Sequence, residues 1–501
     1  MFKQKVQPVV LVASLATAGL ALLLEGTLGF ALFICTLLII LVVTRRSFND
    51  HNNKLSKTQW WLIGTACLFT LLPVFRASPV LNALSYLGLA IIALLALAIA
   101  YSEKNPVKIA IATLLSCPFN VLGYLVSTLP GFTIQAAAPF VTINSTKRHH
   151  FRSVIFGLLW ATPLLLLFGG LLIASDPRFQ HFAESLFTFN ADEMILTGVE
   201  FSCYWLITLI FFYLTLAPGL GQTKPGNAIL QQTTRAPIHV DSIQVLTVLA
   251  SINLLFLAYI GVQLTYFFGG DKLVLNTDNL SYATYAKQGF WELVFVAMLV
   301  IPVLLVVDAL QANQSSSIKK WCLRFSILTI VATAIIELSA LHRMALYLKN
   351  YSLTELRFYS TAFLLFIMSI FICYTITVLR QKRGAFVLWS SSAALSFILA
   401  LNIINPDALI AKANLENKFS NIKPDTSYLS SLSEDAYPII ADYIQINLTK
   451  DWCNLLVQFN YRLQDYQDIS WQQWNWSRDQ AQQVVASLTE KQGCKIMTYF
   501  Q

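Results

Sequence analysis

The chain has 501 residues, 56% of them hydrophobic and 12% charged, with a formal net charge of +8 and a mean hydropathy of +0.61. That charged fraction is about half the roughly 25% of an average soluble protein. It excludes a water-soluble globular enzyme over most of the length and leaves an all-α integral membrane protein.

Apolar runs of about 16 to 25 residues, long enough to cross a hydrocarbon core of about 30 Å as helices, recur along the chain. They are Val9–Leu24, Thr27–Val43, Trp60–Phe75, Val80–Tyr101, Val154–Ile173, Ile195–Ala217, Ile243–Phe268, Phe290–Val307, Leu323–Ala345, Tyr359–Leu379 and Ala385–Ile404. Eleven spans are expected. The first follows Lys3 and Lys5, and Ala16-Thr17-Ala18 imitates a signal-peptidase site. Because apolar sequence continues to Leu24 and a second span follows at once, a retained signal anchor is the expectation. Residues 107–144 start and end beside basic residues, so they cross twice or not at all. Pro118, Pro130, Gly131 and Pro139 suit a re-entrant or interfacial pair, and two crossings there would make thirteen spans.

Basic residues concentrate in alternate loops. These are Arg45, Arg46, Lys54 and Lys57; Lys104 and Lys108; Lys147, Arg148 and Arg152; Lys224 and Arg235; Lys319, Lys320 and Arg324; and Arg380, Lys382 and Arg383. With Lys3 and Lys5 they hold 19 of the 34 basic residues and share their loops with only Asp50, Glu103, Asp241 and Asp308. By the positive-inside rule these loops and the N-terminus face the cytoplasm, and the tail lies outside. The basic excess therefore reflects topology and does not point to nucleic acid.

Ionisable and polar residues gather at the opposite, outer level. Arg76 ends the third span, Asp176-Pro177-Arg178 ends the Val154 span, and Glu200 lies about a turn and a half inside the next. Gln263 and Tyr266 end the Ile243 span, and Glu292 starts the following one. Glu25 marks the first outer hairpin. His342 and Arg343 close the Leu323 span opposite Glu355 and Arg357, where long side chains reach interfacial water. Glu337 is deeper: six residues before Arg343, roughly 9 Å at 1.5 Å per residue, and about 120° round the helix from it. It needs a partner from another helix, a polar cavity, or the neutral form. Two readings stand side by side: interfacial anchors and salt bridges that tie loops together, or an outward-facing polar cavity roofed by the tail.

The Gly269-Gly270-Asp271 step stops the Ile243 span with two permissive residues and a solvated charge. Tyr282–Glu292 reads as an interfacial helix with Tyr285, Lys287 and Trp291 at the membrane surface. From Asn405 to Gln501 the composition turns polar and no spanning run remains, so 1–404 is expected as the membrane domain and 405–501 as a small soluble, mainly α module. Asn405-Pro406 is a helix start. Ser470-Trp471-Gln472-Gln473 and Ser477-Arg478-Asp479-Gln480 both fit the capping box. Asp451–Asp468 and Arg478–Lys491 read as amphipathic helices. Trp471, Trp474 and Trp476 suit a helix start, the bilayer surface or a sugar shelf. Cys453 and Cys494 are alone in the tail, where an extracytoplasmic compartment lets them pair. The other six cysteines lie in or beside apolar segments.

No phosphate-loop, His-Glu-x-x-His, Gly-x-Ser-x-Gly or paired Cys-x-x-Cys motif is present. His149-His150 sits in a basic loop suited to lipid headgroups. No metal and no cofactor is expected.

Five segments, Asn253–Gly270, Tyr282–Ala297, Ala340–Tyr359, Asn405–Leu415 and Trp471–Ala481, carry a resemblance in their order, and the amino-terminal half adds mainly its hydropathy and its Ser175-Asp176-Pro177 step. Together they resemble one bacterial family of polytopic membrane proteins, identified as domain of unknown function four-one-seven-three. Lys287 stands where such proteins commonly show arginine. Ser352 stands where glycine is usual, which argues against any turn that needs positive φ there. The resemblance implies architecture and no activity.

Three functions follow from these observations. The first is a non-catalytic envelope protein whose tail binds an extracytoplasmic protein partner or senses a condition, embedded in the lipid bilayer of a bacterial inner membrane. The second is a transporter or flippase of a lipid or small solute, with Glu200 and Glu337 carrying protons and Arg343 or Arg357 binding an anionic headgroup. The third is a lipid-carrier-dependent glycosyltransferase, although Glu25 lies in a hairpin too short for the acidic loop such enzymes carry.

Overall fold

The structure, a computed structural model, describes residues 57–100, 146–186, 242–269, 289–310, 316–380, 382–416, 418, 424–447, 449–464, 466 and 474–492. Every regular element among them is helical. The helices are α1 (Lys57–Phe75), α2 (Pro79–Ala100), α3 (Thr146–Ser175), α4 (Pro177–Leu186), α5 (Ser242–Gly269), α6 (Phe290–Leu310), α7 (Ser316–Asn350), α8 (Glu355–Thr377) and α9 (Arg383–Ile404). After Asn405 come α10 (Pro406–Leu415), α11 (Thr426–Ser431), a 3-10 turn at Glu434–Ala436, α12 (Tyr437–Ile446), α13 (Lys450–Gln464) and α14 (Trp476–Gln492).

Six helices among the described residues are long and apolar enough to cross a membrane: His150–Ser175, Ser242–Leu264, Phe290–Asp308, Ile318–Leu348, Glu355–Thr377 and Ala385–Ile404. They make this a helical membrane protein. The described residues hold six of the expected eleven or thirteen, for two reasons. Trp60–Phe75 and Pro79–Ala93 are shorter apolar stretches of 10–17 residues. The segments at Val9–Leu24, Thr27–Val43, Ile195–Ala217 and 107–144 lie outside the described residues.

Two contact units divide the chain. One comprises Met1–Ile111, Leu348–Ala362 and Val387–Gln501; the other comprises Ala112–Tyr347 and Phe363–Phe386. In the first unit, Leu62, Phe69, Leu72, Ile92 and Leu95 of the α1–α2 hairpin pack on Leu395 and Ile398 of α9. The helices after Asn405 share their own core with Leu353: Ile410, Ile440, Leu456, Phe459 and Val485 are all fully buried, and Tyr437 stacks on Phe459 with ring centroids 3.8 Å apart. Asn405 caps α10 as the Asn-Pro step predicts, its side chain accepting from the Ala408 N–H. It is the one described non-glycine residue with positive φ, 53°, so Ser352 makes its turn without a left-handed backbone. α14 starts one residue before Ser477, so the cap is Asn475, whose Oδ1 accepts from the Arg478 N–H at 3.0 Å. Ser477 then falls inside the first turn and is buried, which displaces the expected capping box.

In the second unit, α3 and α5 pack closely because Gly157 offers no side chain: a Cβ there would lie 2.7 Å from Thr247 Cβ. Phe168 meets Phe256 edge to face at 5.4 Å in the same interface. Polar bonds add to the packing of α5 on α7, where Asn253 donates to the Phe325 carbonyl at 3.1 Å and accepts from Thr329 at 3.2 Å.

Candidate functional site

In the second unit the chain turns from α3 into α4 at Ser175-Asp176-Pro177. Proline takes the first helical position, and Asp176 Oδ1 accepts from the Arg178 N–H at 3.0 Å, so the aspartate caps α4. Its other oxygen faces inward. Oδ2 accepts from Nη2 of Arg343 at 2.6 Å and from Nε2 of Gln263 at 3.0 Å. Arg343 Nη1 donates to the Ser175 carbonyl at 2.8 Å, so one guanidinium holds both residues of the step. Gln263 also donates to the Tyr259 hydroxyl at 2.9 Å and accepts from Ser339 at 2.7 Å, and Tyr259 lies 2.9 Å from the Ser175 hydroxyl. Asp176 and Arg343 are 1% and 3% exposed. A bonded chain of this kind joins α3, α5 and α7 and fixes their relative register.

The start of α6 rests on the same step. Gly289 has φ 85°, and a Cβ there would sit 1.9 Å from the Ser175 carbonyl oxygen. No other residue fits. Glu337, on α7 two residues before Ser339, is fully buried, and neither carboxyl oxygen has a hydrogen-bond partner among the described residues.

In the first unit the helices after Asn405 are pinned to two turns. Asp435 accepts from the Ala77 N–H at 3.1 Å through Oδ1 and from the Ser78 N–H at 3.0 Å through Oδ2, serving donors that the start of α2 leaves open. Burial pushes the Asp435 carboxyl above its ordinary range, against the hydrogen bonds from Ser477, Ala77 and Ser78 and the charge of Arg76. Asn475 Nδ2 donates to the Pro73 and Arg76 carbonyls, both at 2.9 Å, at the end of α1. Arg76 Nε donates to the Asn402 carbonyl at 2.8 Å. At the second turn, Asn414 exchanges two bonds with the Leu353 backbone, at 3.0 and 2.8 Å. There the Glu355 N–H also donates to the Tyr428 hydroxyl at 2.8 Å. Burial pushes the Tyr428 phenol up to about 12. Arg357 donates to the Ser352 and Tyr351 carbonyls and lies over the Tyr351 ring at 5.6 Å.

The residues expected at the outer level thus separate. Asp176, Gln263 and Arg343 meet in one network, and Glu337 stands on the same helix as Arg343. Glu292 lies in the first turn of α6, Tyr266 lies on α5 and His342 is exposed. Arg76, Glu355 and Arg357 belong to the unit that holds the tail. Glu200 and Cys494 lie outside the described residues, whereas Cys453 is disulfide-bonded. Cys67, Cys322 and Cys373 are free thiols. Tyr259, Ser339, Asp407, Asp435 and Asn475 take part as well, beyond the residues expected from the sequence. For Tyr259 there was a usable signal, its i,i+4 spacing to Gln263 on one helix face. Asp435 and Asn475 carried none, because their partners are backbone groups more than 350 residues away.

No group of three or more His, Cys, Asp and Glu that could hold a metal occurs among the described residues. No curated protein and no solved structure matches the chain. A family model does match, over residues 63–443, and its number is 4153, which corrects the four-one-seven-three suggested by the segments. With three quarters of its length covered, the chain belongs to the family described as Domain of unknown function (DUF4153).

Proposed function

We propose that the protein is a non-catalytic, multi-pass protein of the bacterial cytoplasmic membrane whose helical module after Asn405 binds a partner, or senses a condition, on the outer side. The observation that carries this reading is the way the module is held. Asp435, Asn475 and Asn414 bond backbone groups at the ends of α1, α2 and the 351–355 turn, so a load on the module reaches those helices directly. A module of independent function needs no such ties. Trp474 and Trp476, each nearly half exposed, flank Asn475 at the end of α1, a placement suited to the headgroup level. The disulfide at Cys453 supports an oxidising, extracytoplasmic side. Ile446 and Tyr461, at 83% and 66%, are the most exposed large apolar side chains among the module's described residues.

The test uses the full chain in intact cells, with photo-crosslinking residues at Ile446 and Tyr461 and membrane-impermeant labelling at the same positions. Labelling from outside, with a discrete crosslinked partner lost in Ile446→Glu and Tyr461→Glu, is expected. Labelling only after membrane disruption refutes the topology, and crosslinks unaltered by both substitutions refute the binding surface.

A second reading, transport of a lipid or small solute, is favoured by Glu337 alone: a buried carboxyl without a described partner is an expensive feature inside a span. Reconstituted protein should then lose flux on Glu337→Gln and keep its fold. Equal flux in the variant removes this reading.

A further inference from the structure

Helices α8 and α10 each carry an acid in the first turn, Glu355 and Asp407. The two carboxyls lie close enough for the charge of Asp407 to act on Glu355. Asp407 is 0% exposed; Oδ2 accepts from the Ser433 hydroxyl, and Oδ1 has no partner among the described residues. One turn beyond Glu355, the Tyr359 hydroxyl approaches that of Ser78, which is also 0% exposed, yet neither closes a hydrogen bond. Neither Glu355 nor Asp407 forms an ion pair with a described residue. The other acid nearby, Asp435, spends both oxygens on the Ala77 and Ser78 N–H groups.

Buried oxygens are ordinarily bonded, and three unpartnered ones beside two carboxyls form a set of oxygens with no ion-pair partner among the described residues. The set contains oxygen alone, which is the ligand chemistry of hard cations. Two carboxyls and two hydroxyls, with no imidazole or thiolate among them, do not suit a tightly held transition metal and do suit a hard ion held less firmly. We propose that Glu355, Asp407, Ser78 and Tyr359 bind a hard alkali or alkaline-earth cation. The ion would join the starts of α2, α8 and α10, and so would lock the module after Asn405 onto its hairpin. The site stands whether or not the module has a partner outside.

The experiment is thermal unfolding of the purified full chain in detergent, at constant ionic strength, in choline, sodium, potassium, calcium or magnesium chloride. One metal ion should raise the melting temperature saturably over choline. Asp407→Asn and the milder Ser78→Ala should each raise the half-saturating concentration at least tenfold. Asp442→Asn, an exposed acid on α12, should leave it unchanged. Sodium against calcium separates the two classes of ion. Identical melting in all five salts overturns the proposal. A saturable shift that survives both Asp407→Asn and Ser78→Ala overturns it as well. So does melting that follows pH and ignores the cation, which would mean that Glu355 and Asp407 share a proton, with Tyr428, Tyr359, Asp435 and Arg357 facing them.

Discussion

Replacing Arg343 by methionine removes two donors at once, the 2.6 Å bond to Asp176 and the 2.8 Å bond to the Ser175 carbonyl. Methionine fills much of the same volume, so the loss is electrostatic more than steric. Asp176 then keeps only Gln263 and the Arg178 N–H around a group 1% exposed. Breaking a buried pair from one side costs about 3–5 kcal/mol, because the remaining charge stays out of water. Asp176→Asn should cost a similar amount by removing the counter-charge of the buried guanidinium, although asparagine still caps α4. The double variant strands neither group, so its loss should fall short of the summed singles by about 3 kcal/mol. Unfolding free energies of the purified protein in mixed micelles, followed by tryptophan fluorescence, measure all three. Additivity within about 0.5 kcal/mol would show that the two residues do not act as a pair and would refute the clamp.

Arg343→Lys should also destabilise, by about 1–3 kcal/mol, because an ammonium cannot reproduce the fork that reaches both acceptors. Gly289→Ala should lower the melting temperature at least as much, since its Cβ meets the backbone of Ser175 and the positive φ is strained as well; an unchanged melting temperature would mean that the turn lies elsewhere. Asn475→Ala should leave the Pro73 and Arg76 carbonyls without this donor and speed proteolysis at the start of α14, a rate read by limited digestion. For Asp435 the folded carboxyl lies above its ordinary 3.8, so its stabilising contribution is full below that value and is lost as pH rises through the folded one. Asp435→Asn should flatten that part of the stability–pH curve, and an identical slope in wild type and variant would contradict the assignment.

Much of the membrane portion was legible from hydropathy, because a run of apolar residues has one economical fate in lipid. The Asn-Pro step at 405–406 was legible for a local reason, since its cap acts within four residues. Asp176, Gln263 and Arg343 could be assigned to one depth by counting residues from helix ends, but depth does not give azimuth. Which of them face one another depends on how α3, α5 and α7 are rotated, and Gly157 and Phe168 decide that through packing. The seat of the tail was illegible altogether. Asp435 and Asn475 bind main-chain atoms, which are alike at every position, so no residue type in the first hairpin advertises them.

The separations along the chain set a timetable for synthesis. Asp176 and Arg343 are 167 residues apart, and Ala77 and Asp435 are 358 apart. At about 5–20 residues per second, the acid waits roughly 8–30 s for its arginine, and the hairpin turn waits roughly 20–70 s for its aspartate. The turn at 77–78 can pass that interval with water on its N–H groups if it lies at the membrane surface. Asp176 has no such substitute once α3 is packed, so close packing of α3 against α5 is expected only after α7 has entered the membrane.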